Sequence, residues 1–170
     1  MKSFVPHPQP AFTLIELTIS ICIIAILSVG VAINFKSSIL KANFDDEVLQ
    51  IVDLFEQAHS YSLTNFLVND TEPPEYYLVS VSSSRVVLKA LGGSEESILE
   101  TVILDDNFFI RDITGSQKTY YFPPTGEICF DSEECDSGIN EISFTIVDRS
   151  QEYSQEMTLN KYSGVLELVE

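Results

Sequence analysis

The sequence predicts an α+β protein: one long N-terminal helix, half membrane-like and half amphipathic, packed on a mostly antiparallel β-sheet as a roll. Three observations predict it. An apolar run fills residues 12–35, a helical period follows it with no Pro or Gly between residues 31 and 72, and a period of two fills the remainder.

The 170 residues leave room for one domain and a membrane segment. Nine Lys and Arg stand against 26 Asp and Glu, a formal charge of -17. The bases Lys2, Lys36, Lys41, Arg85, Lys89, Arg111, Lys118, Arg149 and Lys161 are scattered and form no run. Such a balance repels phosphate and argues against nucleic acid as a partner.

The chain opens MKSFVPHPQPA, whose three prolines prevent a helix. From Leu17 to Phe35 there are 19 residues without a charge. A helix of that length nearly crosses a hydrocarbon core of about 30 Å, and it exceeds a signal-peptide core of about 7–15 residues. The segment therefore reads as a retained anchor. Lys2 before it, with Lys36 and Lys41 after it, leaves its orientation open. Glu16 is the anomaly. A carboxylate deep in hydrocarbon costs at least about 2.5–3.5 kcal/mol and usually has a partner; the alternative places Glu16 hydrated at the headgroup level.

Phe12-Thr13-Leu14-Ile15-Glu16, ahead of an uninterrupted apolar run, resembles the prepilin N-terminal motif of type IV pilins and type II secretion pseudopilins. The resemblance implies cleavage by a prepilin peptidase between Ala11 and Phe12, N-methylation of Phe12, and subunit assembly through Phe12 and Glu16. The amine exposed on Phe12 of one subunit would pair with Glu16 of a neighbour. Breaking such a buried pair costs about 3–5 kcal/mol, which sets the register of a filament. Two positions depart from the family pattern. Ala11 stands where Gly precedes the cut, and Ile33 stands where many members carry a helix-breaking Pro, leaving Gly30 as a weaker point of flexibility.

After Lys36, Phe44, Val48, Ile51, Phe55, Ala58 and Phe66 mark one helical face, with Leu54 and Tyr61 beside it. Asp45, Asp46, Glu47, Asp53 and Glu56 mark the opposite face. The membrane helix is expected to run on as one helix to about Asn65, on the order of 80 Å from Phe12. Pro73 and Pro74 then punctuate the chain. Short alternating runs follow at 76–81, 85–91, 97–104, 108–113, 119–122, 127–130, 141–147, 156–159 and 165–169, separated by brief turns, and so mostly antiparallel. The organisation is thus a leader at 1–11, a membrane and assembly helix at 12–35, an amphipathic continuation at 36–72 and a β-rich globular domain at 73–170. The turn YFPPTGEI (121–128) and the closing stretch NKYSGVLEL (160–168) resemble the pseudopilin H and FimT-like minor pilin branch.

No nucleophile elbow, zinc-protease helix, phosphate loop or C-x-x-C is present, so neither enzymatic activity nor a cofactor is expected. His7 would leave with the leader, and His59 reads as a packed side chain. Cys129 and Cys135 could pair in an oxidising compartment or remain two thiols. The loop 129–138 gathers Asp131, Glu133, Glu134 and Asp136 without EF-hand spacing, and reads as a solvated acidic loop rather than a Ca²⁺ site. Cys22 follows bulky Ile21 and precedes thirteen apolar-run residues, which speaks against lipidation. Asn69-Asp70-Thr71 matches a glycosylation acceptor by chance. The expectation is a filament subunit of a type IV pilus or type II secretion machine. Its partners would be other pilin or pseudopilin subunits, prepilin peptidase and inner-membrane lipid. It would sit in the bacterial inner membrane as a single-pass protein, with its C-terminal domain outside the cytoplasm, before entering a filament. The alternative is a single-pass adhesin or binding module with an uncleaved anchor.

Overall fold

The computed structural model describes residues 13–67, 73–92, 95–111, 117–125, 127–130 and 139–169. One helix, α1, runs Leu14–Thr64. Its backbone is helical straight through Gly30 and Ile33, so neither the glycine nor the missing proline marks a break. The chain divides into two units between Lys41 and Ala42, inside α1.

In the first unit the described structure is the apolar part of α1. Its ten large aliphatic side chains from Leu14 to Val29 are 52–81% exposed. This one helix is long and apolar enough to cross a membrane.

Among the described residues the second unit holds the rest of α1 and nine strands. They are β1 (Tyr76–Ser82), β2 (Arg85–Gly92), β3 (Glu95–Ile103), β4 (Phe108–Arg111), β5 (Gln117–Phe122), β6 (Cys129–Phe130), β7 (Glu141–Asp148), β8 (Ser154–Asn160) and β9 (Leu166–Val169). The sequence predicts one sheet; the backbone forms two. A five-stranded sheet has the order β3-β2-β1-β5-β6, and a four-stranded sheet has the order β4-β7-β8-β9. Every described pairing is antiparallel. The split arises because β4 leaves its chain neighbours and pairs with β7, while β5 returns to β1. A backbone bond from Ile110 of β4 to Ser83 (2.9 Å) ties the sheets at the β1–β2 turn, beside a Leu104 to Ser84 bond (3.0 Å) that continues the β2–β3 ladder. Ile128 donates to the Lys161 carbonyl at 2.9 Å on the other side.

α1 lies where the sheets meet. Phe44, Val48, Ile51, Leu54, Phe55, Ala58 and Ser62 are buried, the spacing of one helical face. Phe55 is fully buried and touches both sheets. Its ring centroid lies 5.6 Å from Tyr120 and 6.1 Å from Phe122 in one sheet, and 6.0 Å from Phe144 in the other. Phe44 packs against Phe108 at 5.7 Å and Tyr153 at 5.9 Å. The amphipathic half from Ala42 onward therefore belongs to the same unit as the strands.

Periodicity overruns the helix at its C-terminal end. Residues 65–67 lie outside α1, although the 36–72 segment and Phe66 fit the helical pattern. Asn65 turns left-handed at φ 48, and the Phe66 N–H donates to the Tyr61 carbonyl at 3.1 Å. That is the Schellman pattern, and the accompanying apolar contact is Phe66 stacked on Tyr61 at 4.6 Å. Tyr77 of β1 fastens this end by donating its hydroxyl to the Phe66 carbonyl. Asn is the side chain after Gly most tolerant of that backbone.

Candidate functional site

The start of α1 is built by a local exchange of hydrogen bonds. Thr13 precedes the first helical residue. Its Oγ1 accepts the Glu16 N–H at 3.3 Å, and its own N–H donates to Glu16 Oε2 at 3.0 Å. The Thr13 hydroxyl also donates to Glu16 Oε2, at 2.9 Å. This is a capping box, Thr-x-x-Glu, which satisfies two helix-end donors reciprocally. The carboxylate also sits in the first turn, where the helix dipole favours negative charge. Glu16 thus has a partner inside its own chain, and both residues remain exposed. Further along, Ser20 and Ser28 donate back to the Glu16 and Ile24 carbonyls, at 2.8 and 2.7 Å, which hides their hydroxyls within the apolar helix.

Thr13 is the residue that sequence reasoning missed, although the Thr-x-x-Glu spacing carried its signal. Ala11 and Phe12, the expected cleavage, methylation and assembly positions, lie outside the described residues. Cys22 is exposed and free.

Elsewhere the predicted positions sort as follows. Cys129 is buried and disulfide-bonded. Cys135, its expected partner, lies outside the described residues, as do the acidic residues 131–136 and the 69–71 glycosylation pattern. Among the described residues no three His, Cys, Asp or Glu side chains gather as a metal site. His59 packs against the chain at Gly164. A Cβ built there would stand 2.5 Å from the His59 ring, and Gly164 has φ +67. A glycine is thus required twice over in the closing stretch that sequence singled out.

Two carboxylates of the folded unit are perturbed in opposite senses. Asp148 is buried, and burial alone would raise its pKa. The Ser150 hydroxyl and the N–H groups of Tyr153 (2.8 Å) and Ser150 (3.1 Å) outweigh this and hold the carboxyl below its usual value. Its role is to organise the β7–β8 turn. Glu47, on α1, accepts the Asp105 N–H at 3.1 Å, but its Oε2 is buried without a hydrogen-bond partner among the described residues. Burial pushes this carboxyl up despite the Asp105 N–H, and the charges of Asp105 and Asp46 add to the rise.

Compared with protein-family models, curated proteins and solved structures, the chain matches none.

Proposed function

We propose that this chain is a prepilin-type subunit, a minor pilin or pseudopilin, cut between Ala11 and Phe12 and built into a filament through α1. One observation carries the reading: a capped helix whose apolar half is wholly exposed continues directly into the face that holds a β-rich unit. Each large aliphatic side chain left in water forgoes about 1.5–3 kcal/mol, so ten of them demand lipid or neighbouring helices on the order of 10 kcal/mol or more. A plain anchor would satisfy the aliphatic residues equally well. An anchor accounts for Glu16 as a helix cap alone, whereas the filament reading also accounts for its place as the fifth residue of the motif Phe12–Glu16.

In this reading the chain first rests in the inner membrane, with residues 42–170 outside the cytoplasm. Its partners are prepilin peptidase and then other subunits. Axial register comes from Glu16 exchanging its internal Thr13 bonds for the methylated amine of a neighbour's Phe12. The turn at 121–128 and the close at 160–168 favour the pseudopilin H and FimT-like branch. The test is the mature N-terminus, read by mass spectrometry on protein taken from membranes that contain a prepilin peptidase. A chain beginning at N-methylated Phe12 is expected. A chain still beginning at Met1 would overturn the reading in favour of an uncleaved single-pass binding module.

A further inference from the structure

The four-stranded sheet has an outer face. Phe108, Ile110, Phe144, Ile146, Met157 and Leu159 fill the core, so strand alternation turns their neighbours the other way. Register sets Arg111 opposite Thr145, and Val147 opposite both Phe109 and Ser154. A cavity of ≈ 300 Å³ opens on this face, lined by Arg111, Thr145, Val147, Gln151 and Ser154. Gln151 comes from the β7–β8 turn, where its backbone is held left-handed at φ 60. The buried Asp148 carboxylate, through Ser150 and Tyr153, holds that turn in place.

The lining is rich in donors. Arg111 brings a planar fork of N–H groups, Gln151 an amide and Ser154 a hydroxyl. Val147, 1% exposed, provides an apolar floor. Among the described residues that line the cavity there is no carboxylate, although the chain carries 26 of them. Among the described residues Arg111 makes no ion pair. Its guanidinium lies 5.6 Å from the centroid of the Phe109 ring, which positions the fork without neutralising it. Glu156 follows Thr145 on the same face, opposite it on β8, and does not line the cavity.

We propose that this cavity is a carboxylate-binding site, with the ligand held by two parallel hydrogen bonds from Arg111 and flanked by the Gln151 and Ser154 donors. The fork geometry matches a carboxylate. One guanidinium suits one negative charge, and the chain's -17 charge weighs more heavily against a doubly charged phosphate. The volume stands at the lower end for ligand sites, so the body above Val147 must be small. Two sources share this chemistry: a free amino-acid-sized carboxylate, or an acidic side chain presented by a second copy of this chain. The inference stands independently of the filament reading.

The test uses the full chain in detergent micelles with labelled arginine. The Nε–H signals of Arg85, Arg111 and Arg149 are followed by NMR at constant ionic strength. Acetate, glutamate and phosphate are added separately. A saturable shift confined to Arg111 with acetate or glutamate supports the free ligand. An Arg111 shift that appears only as protein concentration rises, together with a larger species in sedimentation that Arg111→Gln abolishes, supports the second copy. Arg111→Lys keeps the charge but loses the fork, and is expected to weaken either mode about tenfold or more. Arg111 is exposed, so both variants are expected to keep the wild-type spectrum elsewhere. No Arg111 shift in either arm, or phosphate binding as tightly as carboxylate, overturns the proposal.

Discussion

Glu16 is asked to do two things, and a pair of substitutions separates them. Glu16→Gln keeps an acceptor at the third helical position, so the exchange with the Thr13 N–H (3.0 Å) and hydroxyl (2.9 Å) survives. What it removes is the charge. If that charge pairs with a neighbour's amine inside packed helices, the orphaned amine costs about 3–5 kcal/mol, or roughly two to four orders of magnitude in assembly. Thr13→Ala does the reverse. It removes the hydroxyl that accepts the Glu16 N–H (3.3 Å), at about 1 kcal/mol of helix capping, and leaves the carboxylate in place. That is less than tenfold in assembly. The assay is filament yield from cells carrying a prepilin peptidase, with N-terminal mass spectrometry showing equal processing of each variant. Glu16→Gln should leave almost no filaments and Thr13→Ala should leave most of them. Wild-type yield from Glu16→Gln, with a severe defect in Thr13→Ala, would refute the reasoning. Glu16 would then be a helix cap and nothing more.

The folded unit offers three further tests, each read by urea unfolding of the full chain in micelles. The signal is tyrosine fluorescence, since the chain has seven Tyr and no Trp. Phe55→Ala empties the junction between the sheets and should cost about 3–5 kcal/mol, with a fall in Tm of 10 °C or more; a loss under about 1 kcal/mol would deny Phe55 its bridging role. Gly164→Ala forces a side chain onto φ +67 and against the His59 ring, and should cost about 1–3 kcal/mol; an unchanged midpoint would contradict that close approach. Asp148 titrates lower in the folded chain than its ordinary 3.8, so its contribution is complete above that value and is lost as pH falls through the folded pKa. Glu47 titrates above its ordinary 4.5, so its effect has the opposite sign and stability declines as pH rises from there through the folded pKa. Asp148→Asn should flatten the acid loss and Glu47→Gln should flatten the decline; the reverse pattern would show that the two carboxylates are wrongly assigned.

Much of the fold was legible because it is written in local patterns. The alternation in residues 76–81 and 85–91 places a hairpin where β1 and β2 pair from Tyr76–Leu91 to Ser82–Arg85. The 4-and-3 spacing from Phe44 to Ala58 names the buried face of α1. Phe66 was misplaced because it satisfies the helical period, and periodicity does not register a left-handed residue at Asn65. Of the candidate site, Glu16 stood out as a charge among aliphatic residues. Thr13 did not, because a hydroxyl there is unremarkable until its bonds to Glu16 are seen.

By itself, the sequence determined which segments become helix and strand, which residues face inward, and that a helix with an uncharged run from Leu17 to Phe35 precedes the strands. Those follow from hydrogen bonding within a few residues and from the repeat of apolar side chains. Tertiary structure alone decided that the described strands divide into two sheets, that Phe55 joins them, and that Arg111 opens onto a cavity with no acid among its described lining residues. The reason is sequence distance. β4 pairs with β7 and β5 with β1 across long stretches of chain, and strand alternation is equally satisfied by any antiparallel neighbour. The choice among neighbours is made by how the side chains close around α1.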